Sequence, residues 1–267
     1  MAESPKPASE CHLIRAQVLF WEMVALLALK CPNISTVALP EDEQENAQAI
    51  TSNLQAMALI VERLADTLKL FDFSSANRIP LPKDLSTYTD EARFERNAHN
   101  DTLHNWQLIA ARSGAIYIYE FHRVEQAMDM LLKTCPALDA MINKEARKRA
   151  SQIFHKRFKN FADLRLFAAH GSEMVDSPKK RKSHATTKSI PGLVQLENSS
   201  VVVTDALMGR RYSSTIKGEF IGYELSIETL NTLISVFNER VAMLKPAEEI
   251  TSKMIFERMR QKQQPPS

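Results

Sequence analysis

An arginine and a histidine stand five residues apart in DLRLFAAHGSE, Asp163 to Glu173. Imidazole titrates near neutral pH, so His170 has the chemistry to exchange protons. Guanidinium presents a planar fork of donors matched to phosphate oxygens, so Arg165 has the chemistry to hold an anion. Five residues turn about 500° around a helix and leave the pair about 140° apart, so an undistorted helix does not carry them on one face. A structural role competes. Arg165 would then pair with Asp163 or Glu173, and His170 would meet the last carbonyls of its helix, where a cation gains up to about 1 kcal/mol. A few residues on, Lys179, Lys180, Arg181 and Lys182 form a run of four bases. Such a run suits phosphate contact, and equally a solvated loop.

The elements that must position these groups are helices. Ala47, Ile50, Leu54, Met57, Val61, Leu64, Leu68 and Phe71 recur in steps of three and four. That period defines one buried stripe of a long helix packed on a neighbour. Ahead of it, Ser9 is a candidate N-cap for a helix over about residues 10–30, with VLFWEMVALLAL as its buried run. That run has 12 residues and contains Glu22, whereas a membrane span needs about 20. Pro80 and Pro82 mark a loop over 72–89, followed by a short helix near 90–98. From Asp101 a third long helix is expected to face inward with Trp106, Ile109, Ser113, Ile116, Val124, Ala127 and Leu131. Pro136 ends it.

A fourth helix is expected from about Leu138 to Ala169, with a basic outer face from Lys144 to Lys159 and Gly171 as its C-cap. Residues 175–191 lack apolar periodicity and read as mobile. The stretch from Leu193 to Leu225, broken at MG and KG, predicts a small antiparallel meander. Ser226 then caps a helix with Leu230, Leu233, Val236 and Phe237 inward. The fold class is therefore mainly α: an up-and-down helical bundle with a small antiparallel β meander and a final helix near the C-terminus. The expected parts are a bundle over 1–174, a basic linker over 175–191, meander plus helix over 192–247, and a helical or disordered tail over 248–267.

With four long helices in place, RLFAAH, Arg165 to His170, resembles the Arg-x4-His signature of the HEPN superfamily. The resemblance covers about residues 10–172 in architecture and rests on those two residues in a small, apolar context. It implies an α-helical bundle and, in many members, a metal-independent ribonuclease of toxin or defence systems. His170 would take the proton of the 2′-hydroxyl, and Arg165 would stabilise charge developing on phosphorus. It also implies a homodimer through the fourth helix, with Leu166, Phe167 and Ala168 as the apolar patch. Leu166 departs from the polar residue usual after the arginine in active members. RNA is the implied partner, with Lys179 to Lys182 and Arg210 and Arg211 extending the positive surface. The alternative is a non-catalytic helical interaction or scaffold module.

Composition bounds these readings. The net charge is +2, from 34 basic and 32 acidic residues, so RNA contact requires a local patch. Cys11, Cys31 and Cys135 form no CxxC pair, which signals neither a zinc site nor a disulfide framework. His99 and His104 flank Asp101 but lack the i, i+4 spacing of a metal pair. His122 and Arg112 read as polar contacts inside the bundle. No phosphate loop, HExxH or GxSxG is present, and no metal or cofactor is expected. MAESPKPASE lacks a basic-then-apolar leader, so a cytoplasmic location and no membrane partner are expected.

Overall fold

The computed structural model describes residues 31–84, 86 and 88–262. The helix expected over 10–30, with Cys11, lies outside them. The chain is mainly helical, with one three-stranded sheet. A 3-10 turn, Thr36–Ala38, precedes α1, Glu41–Ala76. Then come α2, Asp90–Leu132, α3, Pro136–Met141, α4, Lys144–Arg157, α5, Phe161–Met174, and α6, Pro178–His184. The strands are β1, Ala206–Met208, β2, Arg211–Ile216, and β3, Glu219–Glu224. The last helix, α7, is Ile227–Lys262 and runs through Pro246. Among the described residues, no helix is long and apolar enough to cross a membrane.

Two compact units partition the chain. One holds the described residues up to Ala65, Arg123–Ser151 and the described residues from Ser235; the other holds those of Asp66–His122 and Gln152–Ile234.

In the first unit the α1 stripe from Ala47 to Leu64 is buried throughout, together with Met128, Leu132, Leu138, Val236 and Leu244. Helix starts are closed by side-chain oxygens, one distant and one local. Buried Glu43 accepts from the amides of Ala137 (2.9 Å) and Leu138 (3.2 Å), so an α1 carboxylate caps α3. Asn143 accepts from the Ala146 amide at 3.1 Å and starts α4. Arg240 is 0% exposed. Its guanidinium donates to Glu125 (2.7 Å), Asp129 (2.9 and 3.0 Å) and Ser151 (3.3 Å). Burial works against its charge, but the hydrogen bonds to Asp129 and the charge of Glu125 hold its pKa above the ordinary value.

The second unit is built around β2, whose residues Tyr212 to Ile216 are all buried. The strands pair antiparallel in sequence order. Lys217 and Gly218 both take positive φ, the turn that matches strand twist in a tight hairpin. Helices α5 and α6 pack on β2. On α2, Ala110, Ala111, Gly114 and Ala115 form a buried, small-residue face. A Cβ on Gly114 would strike the Tyr223 hydroxyl, which donates to the Ala111 carbonyl at 2.5 Å.

This face corrects the inward assignment of Trp106 and Ile109, which are 40% and 53% exposed. The bulky residues lie outside because the close approach of Tyr223 needs the small ones inside. Trp106 instead stacks on Phe73 at 6.4 Å. Three boundaries also differ. α2 starts at Asp90, not Asp101, since Thr89 caps it by accepting from the Ala92 amide at 3.2 Å and no Gly or Pro interrupts 98–101. The expected fourth helix is three helices, broken at Ile142–Asn143 and again at Phe158–Asn160. Residues 178–184 of the expected linker are helical, because Ser177 accepts from the Lys180 amide (3.3 Å) and Pro178 fits the first turn.

Removing Arg240 strands a buried carboxylate. Arg240→Met should lower unfolding stability by about 3–5 kcal/mol, read as a shift of the urea midpoint. Arg149→Met, which breaks the exposed pair with Glu239, should barely move that midpoint.

Candidate nucleic-acid interface

Helix α5 carries both motif residues. Its first turn is set by the Leu164 amide donating to the Asn160 carbonyl at 3.1 Å, and its inner face is Leu164 and Phe167. Phe167 is fully buried, with the His184 ring at 5.9 Å, so it does not belong to an exposed patch with Leu166 and Ala168. The helix does not stop at Gly171. His170 takes φ −135° and ψ 25°, the one non-helical residue within α5, and the helix resumes to Met174. Gly171 has no positive φ; its neighbours are Phe167 and the Asp205 carboxylate.

The Arg165 guanidinium lies over the Tyr119 ring, 5.0 Å from its centroid. Its Nε is buried and has no hydrogen-bond partner among the described residues. The two carboxylates expected to pair with it are engaged elsewhere. Asp163 meets Lys217 Nζ at 3.1 Å, and Glu173 Oε1 lies 3.4 Å from His170 Nδ1. His170 is 42% exposed in its side chain. With Nδ1 turned to a carboxylate, Nε2 is the nitrogen left to accept a proton. Arg165 and His170 share no hydrogen bond: one is directed at Tyr119 and the other at Glu173.

The four bases lie on α6, next after this end of α5. Lys180 Nζ donates to the Glu173 carbonyl (2.8 Å) and to Asp176 (2.9 Å), and Arg181 Nε donates to the Val175 carbonyl (2.9 Å). Lys179 and Lys182 are exposed. α6 is fastened at its far end by buried His184, whose Nδ1 accepts from the Lys217 amide at 3.3 Å. Arg210 does not extend a positive surface. It donates to Asp72 at 2.6 Å and to the Leu225 carbonyl at 2.8 Å, over the Phe71 ring. Arg211 is exposed.

One cluster had no signal in the sequence. Asp205, at φ 54°, receives Arg112 through Nε (3.0 Å) and Nη2 (2.6 Å) and also accepts from the Tyr212 hydroxyl. These partners are 93 and 7 residues away, beyond any local pattern. The hydrogen bond to Asp205 raises the Arg112 pKa. Burial, then the Asp205 hydrogen bond, pushes the Tyr212 phenol well above its ordinary range, and burial does the same to Tyr223. His122 is buried against Phe154 (4.8 Å) and Phe161 (4.7 Å). His99 Nε2 meets the Asn77 carbonyl at 3.1 Å. Among the described residues, no three His, Cys, Asp or Glu side chains are grouped to hold a metal ion.

Comparison with protein-family models, curated proteins and solved structures finds no match to this chain.

The two phenols set an alkaline limit. Below about pH 10 they are protonated whether the chain is folded or not, so they do not change stability. Above it the unfolded chain ionises while the folded one resists, so stability falls as pH rises. Denaturant titrations at about pH 9 and about pH 11 should show this loss, and Tyr212→Phe should make the loss smaller.

Proposed function

We infer that this is an HEPN-like helical protein that binds RNA at α5 and α6 and cleaves it without a metal. The observation that carries the reading is Arg165: a guanidinium held on an aromatic ring, with a buried Nε that has no partner and no carboxylate taking its charge among the described residues. A buried donor without a partner costs about 1–3 kcal/mol, and a phosphodiester oxygen would satisfy it. Arginine is suited to that role by its fork of donors. His170 complements it. The kink exposes the imidazole, Glu173 orients Nδ1, and Nε2 is left as the acceptor for a 2′-hydroxyl proton. Lys179 and Lys182 supply exposed charge for the backbone on either side. A pairing of two copies through α5 in the cytoplasm belongs to the same reading, with half-buried Leu166 and Ala168 at the contact.

The test is purified protein with mixed RNA in excess chelator. Fragments should appear. His170→Ala and Arg165→Ala should each slow cutting by about 100-fold or more at unchanged melting temperature. Glu173→Gln should shift the pH–rate profile. RNA that stays whole but is bound by the wild type, and bound less tightly by Arg165→Ala, would reduce the reading to an RNA-binding module. RNA neither cut nor bound would favour a helical interaction module.

A further inference from the structure

A cavity of about 210 Å³ opens in the second unit at the turn between α4 and α5. Apolar groups form part of its lining: Leu164 and Phe158 are 4% and 5% exposed, and Phe161 and Tyr223 add ring surface. Three cations line it as well: Arg157, Lys159 and Arg211. All three are exposed, and among the described residues none is held by an ion pair or hydrogen bond, although the charge of Arg157 adds to the Ser226 hydrogen bond in lowering the Glu228 carboxyl. Arg211 faces Glu224 across the strands in register, and still the two are not paired. Neither Arg165 nor His170 lines this cavity.

Like charges gathered without partners repel one another, and most other arginines of this unit have found an acid or a carbonyl. With Glu224 counted, the cavity carries an excess of two positive charges. A phosphomonoester carries about −1.5 to −2 near neutral pH, which matches that excess better than a monocarboxylate does. The volume lies below the roughly 300 Å³ at which drug-sized sites begin, so the ligand is small. The aromatic wall suits one ring, and Glu224 can accept a hydrogen bond from a hydroxyl on it.

We propose that this cavity binds a small phosphomonoester built on a single ring, its phosphate held by Arg157, Lys159 and Arg211 and its ring against Phe161 and Tyr223. The ligand is metabolite-sized, in keeping with the small volume of the cavity.

The experiment is calorimetric titration of the whole chain with phenyl phosphate, and with inorganic phosphate and benzoate for comparison. Phenyl phosphate should bind saturably and more tightly than either of the others. Arg157→Ala/Arg211→Ala should weaken it by about tenfold or more without lowering the melting temperature, since both side chains are exposed. Lys159→Gln gives an independent measure in the same direction. No saturable binding of phenyl phosphate, or affinity unchanged in both variants, would overturn the proposal. Equal binding of inorganic phosphate and phenyl phosphate would overturn the ring-binding part.

Discussion

A guanidinium cannot lose its proton in a protein, so every arginine drawn out of water must be answered by an acceptor. That constraint organises both units. Arg240 has no exposure and draws in Glu125, Asp129 and Ser151. Arg147 shares Asp129 and adds Asp139, tying α4 to α2 and α3. In the second unit Arg112 takes Asp205, and Arg210 takes Asp72 with the Leu225 carbonyl. These pairs fix register between segments far apart in the chain. Hydrophobic burial supplies most of the driving force, but it is tolerant of small slips; a forked donor and its carboxylate are not.

Arg165 departs from this pattern, and its departure has local causes. Asp163 is taken by Lys217 from the hairpin turn, and Glu173 lies beyond the kink with His170. The guanidinium is held instead by a ring, which attracts a cation but accepts no second charge. Among the described residues Arg240, Arg112 and Arg210 meet carboxylates, whereas half-buried Arg165 rests on an aromatic ring with its Nε unpartnered. The kink falls at His170, whose side chain is part-exposed, eight residues before the basic α6 begins at Pro178.

Much of the scaffold was legible. All eight residues of the α1 stripe are buried, because a strict helical period over that length has no other solution. Ser226 caps α7 by accepting from the Thr229 amide at 3.4 Å, and the KG dipeptide marks the β2–β3 turn. The inner face of α2 was misread, because small residues pack where a backbone must be approached and bulky ones can stack outside, as Trp106 does on Phe73. The breaks at 142–143 and 158–160 carry no Gly or Pro; asparagines begin the next helices there. Of the candidate interface, the residue types at Arg165 and His170 were visible. The Tyr119 ring under Arg165 was not, since it arrives from a distant segment, as does Lys217, which takes Asp163 away from Arg165.

In the proposed function Arg165 keeps its guanidinium for phosphate. Nuclear magnetic resonance of the Arg165 Nε–H, assigned by its disappearance in Arg165→Lys, addresses it directly. Titration with a short single-stranded oligoribonucleotide should move that resonance as the buried donor gains an acceptor. A resonance that stays in place while the oligoribonucleotide saturates the protein would contradict the account.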